Sequence, residues 1–133
     1  MRCPCGTQKN YSECCGKYLE GKAVPETPEA LMRSRYTAYT KANIAYIVQT
    51  QQGHAAENFD PEATRRWAKR AKWLDLTVLK TEPVTGQQGF VEFVARYNSS
   101  NKVHPIHERS EFQKREGRWY YVASHHPAGC GCH

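Results

Sequence analysis

The chain has 133 residues, 39% hydrophobic and 24% charged, with a formal net charge of +6 at pH 7. That length supports one core burying roughly two-thirds of the unfolded surface and excludes two such domains. No apolar run approaches the ~20 residues of a membrane span or the h-region of a secretory signal, so a soluble, cytoplasmic protein is expected. The positive charge suits an acidic partner, whether nucleic acid, anionic lipid or an acidic protein face, without choosing among them.

The first element is CPCGTQKNYSECCG, which places Cys3, Cys5, Cys14 and Cys15 in a stretch too short for a core of its own. In a reducing compartment such density argues against disulfides, and four free thiols would be an oxidation liability. Zinc accepts four soft ligands in a tetrahedron, and two close cysteine pairs joined by a turn supply them. Gly6 and Gly16, each following a pair, are expected to provide left-handed backbone around the ion. Metal binding would fold the segment, with a free energy of about 10–16 kcal/mol in small zinc peptides. Four thiolates leave no open coordination position, so a structural ion is expected; their oxidation would eject it and release the segment. A knuckle and connector over 1–26 then precede the main domain, 27–133.

Thr27-Pro28 predicts a cap and first helical position, opening a helix with Leu31, Arg35 and Ala38 on one face. A second helix over 44–51 should bury Ile44, Ile47 and Val48, and Asp60-Pro61 opens a third. That third helix carries Arg65, Arg66, Trp67, Lys69 and Arg70. Trp67 could stack on a base while its neighbours contact phosphate, yet such a charge run is more often the solvated face of a helix. Beyond it the period changes to alternation, with Leu74, Leu76 and Val78 on one side of a strand. Strands over 90–97, 107–113 and 119–124 follow, with turns at Thr85-Gly86, 98–101 and Glu116-Gly117. Three helices followed by a curved antiparallel sheet make an α+β fold.

Such a sheet can leave a cavity at its mouth, and Arg33, Arg35, Glu92, His107, Glu108 and Arg109 are polar residues on core-like elements. A buried carboxylate beside an arginine could orient a ligand or move a proton, and His107 could titrate near neutral pH. The same residues could equally form helix-to-sheet ion pairs or lie on a wet strand face.

CPCG, Tyr11 and ECCG resemble the SEC-C motif, a zinc-binding element also found at the C-terminus of the SecA translocation ATPase, with Thr7 and Gln8 where Ser and Gly are usual. With LMRSRYTAY, GFVEFVARY, HERSEF and GRWYYV the likeness runs through nearly the whole chain, and the combination resembles the YchJ family of bacterial proteins. That resemblance implies a cone-shaped, nuclear transport factor 2-like domain, one Zn2+ and a knuckle that meets a partner protein; a ribonucleoprotein partner, RNA or the ribosome included, is a further reading carried by the basic third helix together with the knuckle. It implies no reaction. Longer members end in a second SEC-C motif; here HHPAGCGCH offers only Cys130, Cys132 and His133 as candidate ligands for a second metal, and an ordinary chain end is the favoured reading. A non-enzymatic zinc protein is the leading expectation. A small-molecule binder or enzyme using the cavity is the alternative.

Overall fold

The computed structural model describes residues 1–125. A short helix α1 (Cys15–Leu19) grows out of the second cysteine pair. The next three helices each begin where a side-chain oxygen replaces a missing backbone acceptor. Thr27 Oγ1 accepts from the Ala30 N–H at 3.0 Å and opens α2 (Pro28–Thr40). Asn43 Oδ1 accepts from Tyr46 N at 3.1 Å and opens α3 (Ile44–Gln49). Asp60 Oδ1 accepts from Ala63 N at 3.1 Å and opens α4 (Pro61–Arg70). In each case one orphan donor of the first turn is satisfied, and proline opens both α2 and α4, where its absent N–H costs nothing.

The helix expected over 44–51 is shorter than its pattern suggested and ends, as α3, at Gln49. At Thr50 the backbone leaves the helix to pair with a strand: Tyr121 N donates to Thr50 O at 2.9 Å and Gln52 N to Tyr121 O at 3.0 Å. Val48, expected inside, is 47% exposed. Its place is taken by Tyr46, whose hydroxyl meets Ser34 Oγ at 2.7 Å within the core.

Strands β1 (Lys72–Thr81), β2 (Gln88–Ser99), β3 (Lys102–Arg115) and β4 (Arg118–His125) form one antiparallel sheet in sequence order. Both long hairpins turn through two residues of positive φ, Ser100-Asn101 and Glu116-Gly117, the left-handed pair that matches strand twist. In β1, Leu74 is an extra residue between the pairs Trp73↔Tyr97 and Asp75↔Arg96, and Leu79 another between Val78↔Phe93 and Lys80↔Glu92. Each bulge reverses the alternation and bends the strand. Leu74 therefore faces outward, at 47% exposure, instead of sharing a side with buried Leu76, and Trp73 turns inward.

The bends give the sheet a concave face, and α2 lies across it. Leu31, Met32 and Tyr36 from the helix pack with Leu76, Val91, Ala95, Phe112 and Trp119 from the strands. The start of α2 meets β2 so closely that a Cβ on Gly89 would stand 2.6 Å from Pro28 Cγ. Among the described residues no helix is long and apolar enough to cross a membrane.

Candidate metal centre and cavity

The cysteine segment folds back on itself before any ion is considered. Arg2 and Asn10 form an antiparallel bridge, Cys3 N donates to Lys9 O at 2.8 Å, and positive φ at Gly6 (88°) and Gln8 (71°) turns the loop. A single 3-10 turn at Tyr11–Glu13 leads to Cys14, whose φ of −120° and ψ of −114° break the helical path before α1 starts at Cys15. That break lets two adjacent residues aim at one point, which successive positions of a helix, about 100° apart, could not do.

All four sulfurs lie within 4.8 Å of one another, and Cys5 Sγ and Cys14 Sγ are 3.6 Å apart. Zinc–sulfur bonds of about 2.3 Å put the corners of a tetrahedron ~3.8 Å apart, so the set accepts such an ion with a small contraction. Cys3, Cys5 and Cys15 are buried and Cys14 half-buried. The Cys5 thiol is held well below its ordinary value, chiefly by the hydrogen bond from Cys15, which is itself pushed up by the same bond.

Neighbours answer the negative charge such a cluster would carry. The Thr7 hydroxyl lies 3.1 Å from Cys14 Sγ, and Thr37 Oγ1 lies 3.7 Å from Cys3 Sγ. Arg33 reaches from α2 to donate to Cys5 O at 2.6 Å and pairs with Glu29 at 2.9 Å. Gly16, expected to turn the chain through positive φ, instead sits inside α1. Its need for no side chain is one of space, because a Cβ would stand 2.7 Å from Tyr11 O and 2.8 Å from the Tyr11 ring. The knuckle packs into the main core: Cys3, Cys5 and Cys15 belong to the same buried cluster as Leu31, Met32 and Tyr36.

Of the polar residues proposed for a cavity, the structure brings two together there. Strand alternation sends Ile106, Glu108, Ser110 and Phe112 of β3 to the concave face and His107 and Arg109 to the other. His107 pairs with Glu92 at 2.7 Å, and Arg109 with Glu82 at 2.6 Å while covering the Phe90 ring, so these residues form ladders on the outer face. Arg33 serves the knuckle. Arg35, two residues later on α2, points the other way and lines the cavity with Glu108.

That cavity, of about 150 Å³, lies between α2 and the sheet. Met32, Arg35, Tyr36 and Tyr39 cover it at helical spacing, and Trp73, Phe93, Ile106 and Tyr121 line it from the strands. Arg35 is buried; it donates to Ile47 O (2.9 Å), Thr50 Oγ1 (2.7 Å) and Gln51 Oε1 (3.0 Å), fastening the end of α3. Its guanidinium carbon stands 4.7 Å from the Tyr121 ring centre, and the Tyr121 hydroxyl donates to Glu108 Oε2 at 3.0 Å. Ser110 Oγ donates to the same oxygen at 2.5 Å. Burial pulls Arg35 down from its ordinary value and pushes Tyr36 up to about 12, with Tyr39 and Tyr121 raised for the same reason, so these phenols remain donors at neutral pH. Trp73 and Tyr121 take the cavity-wall positions that large rings between helix and sheet suggest, whereas Tyr39 and Ser110 are not among the candidates the sequence offers. The run Met32, Arg35, Tyr36, Tyr39 was the available signal, being one face of a helix.

On α4, Arg66, Lys69 and Arg70 are exposed and Arg65 pairs with Glu62. Trp67 does not stand free for base stacking. Its ring packs edge-on against Tyr39, Trp73 and Tyr97, with centroids 5.9, 5.2 and 5.5 Å away. Cys130, Cys132 and His133 lie outside the described residues.

The family model described as "YchJ, middle NTF2-like domain" matches residues 27–124. A UPF0225 protein of Haemophilus influenzae is 45% identical over 120 residues, spanning 90% of this chain and 75% of that protein. The solution structure of a SEC-C motif containing protein from Rhodopseudomonas palustris superposes with a TM-score of 0.87 at 39% identity, covering 96% of this chain and 99% of that one. A crystal structure of another such protein, from Psychrobacter arcticus, gives 0.81 at 29% identity, covering 92% and 81%. The helices on a curved sheet are thus the expected nuclear transport factor 2-like fold with its cysteine knuckle in place, and the chain belongs to the YchJ family of SEC-C motif proteins.

Proposed function

We propose that this chain is a non-enzymatic zinc protein whose knuckle docks a protein or ribonucleoprotein partner. Four thiolates with no oxygen or nitrogen donor favour zinc over harder ions and leave no coordination position for a substrate, which supports a structural ion. The observation that carries the docking reading is a groove of about 210 Å³ beside Cys14, where the knuckle meets α2, lined by Lys9, Glu13, Lys17, Tyr18 and Arg33. Charges of both signs around an aromatic suit a peptide-like or ribonucleoprotein surface. Cysteine variants would test the core as much as the groove, so the useful variant is the exposed charge swap Lys9→Glu with Glu13→Lys. It should keep zinc content and melting temperature while losing the proteins the parent retains from a cell extract. Retention of the same set would overturn the docking reading.

A second reading, a small-molecule binder, is favoured by one observation: the cavity under α2 holds a buried arginine whose three hydrogen-bond partners are all uncharged.

A further inference from the structure

We propose that the cavity under α2 binds a small uncharged ring carrying a hydrogen-bond acceptor and an N–H donor on one edge, a cyclic amide, with the acceptor on Arg35 and the donor on Glu108. This rests on the second reading above, that the cavity is a ligand site.

Arg35 is 6% exposed, and among the described residues no carboxylate oxygen lies within 4.0 Å of it. Buried charges ordinarily find an opposite charge, and here Glu108 lines the same cavity without making that contact. Tyr121 keeps them apart: the guanidinium lies over its ring and its hydroxyl holds Glu108 Oε2. Ser110 fixes the same carboxylate oxygen from β3. The cavity therefore presents a fixed cation and a fixed carboxylate, each with hydrogen-bonding capacity beyond the bonds already made.

Net charge on the ligand follows from that pair. An anion drawn to Arg35 would meet Glu108 inside the same apolar walls, and a cation drawn to Glu108 would meet Arg35. An uncharged molecule that accepts from one and donates to the other satisfies both. Shape follows from the walls, where Tyr36, Tyr39, Trp73 and Phe93 present flat surfaces. Size follows from the volume: an apolar cavity of about 150 Å³ accepts benzene, whereas drug-sized ligands occupy ~300–1,000 Å³. One ring fits.

The test uses the full zinc-loaded chain and four one-ring probes, 2-pyridone, benzoate, benzylammonium and toluene, read by saturation-transfer NMR and calorimetry. The expected result is 2-pyridone binding at least tenfold tighter than the other three. Glu108→Gln should weaken 2-pyridone several-fold and strengthen benzoate, an inversion that loss of structure alone would not produce. Benzoate or toluene binding as well as 2-pyridone would overturn the cyclic-amide assignment and leave the ligand-site reading standing. Tight 2-pyridone binding unmoved by Glu108→Gln would locate it elsewhere and overturn the assignment as well. Binding of none of the four would overturn both. The ranking is read on the unmodified protein, so it decides the question even if the variant does not fold.

Discussion

Gly16→Ala would ordinarily be expected to stabilise, because alanine in a helix is favoured over glycine by about 0.5–1 kcal/mol. Here the added Cβ would lie 2.7 Å from Tyr11 O and 2.8 Å from the Tyr11 ring. Neither can yield cheaply: Tyr11 O accepts from Cys14 N at 3.0 Å, and Lys41 Nζ covers the ring at 4.4 Å. Overpacking of this kind costs about 1–3 kcal/mol, which outweighs the helix gain and leaves a net loss of roughly 1–2 kcal/mol. For a domain of this size that is a fall in melting temperature of about 4–8 °C. The assay is a thermal melt of zinc-loaded protein together with the rate at which a chelator extracts the metal. Because any shift of Tyr11 drags Cys14, extraction should also be faster. Gly21→Ala is the control, since Gly21 has φ of +79° and no atom within 4 Å of the added Cβ; it should lower the melt through backbone strain and leave extraction unchanged. A Gly16→Ala protein melting at or above the parent would refute the steric account.

Removing the metal should unfold more than the knuckle, because its cysteines share the core with Leu31, Met32 and Tyr36. An ion worth about 10–16 kcal/mol in peptides rivals the ~5–15 kcal/mol of a whole domain; near-UV circular dichroism that survives chelation intact would contradict this. Burial alone would raise Glu29, yet hydrogen bonds from Arg33 and Thr81 hold it below its usual value. Its contribution is therefore present above the unfolded carboxylate value and lost as pH falls through the folded one. Glu29→Gln should cost under about 1 kcal/mol, unchanged from pH 7 to pH 5 in urea melts, since the pair is partly exposed; a difference gone by pH 6 would refute the sign. Trp67→Phe should lower stability by about 1 kcal/mol or more through its three edge-on rings while leaving any RNA affinity unchanged. A loss of RNA affinity in that variant would restore the stacking role.

What could be read from the chain were features whose cause is local. Thr27-Pro28 and Asp60-Pro61 announce helix starts because the cap and the proline act within one turn, and Glu116-Gly117 announces a hairpin for the same reason. The cysteine set was legible because soft ligands at such density have few other uses. The bulges at Leu74 and Leu79 were not, since an extra residue exists only relative to a partner strand. They determine which side Trp73 takes, and with it a wall of the cavity. Arg33 and Arg35 were grouped as cavity candidates, although only Arg35 shares a helical face with Leu31 and Ala38. At about 100° per residue they stand some 200° apart, which sends one to Cys5 O and the other to the cavity.

That divergence makes α2 the element through which knuckle and cavity are joined. On one side Arg33 holds the loop carrying Cys5, and Thr37 approaches Cys3. On the other, Met32, Arg35, Tyr36 and Tyr39 form the roof of the cavity. Met32 and Tyr36 do both, packing in the cluster that contains Cys3, Cys5 and Cys15 while lining the cavity. A helix shared in this way cannot be displaced at one site without disturbing the other, because interiors are packed too tightly to absorb a shift locally. A metal held by the four cysteines would therefore do more than close a short loop. By fixing the knuckle against α2 it would hold the roof over Arg35 and Glu108, tying the arrangement of the cavity to the cysteine cluster at the far side of the same helix.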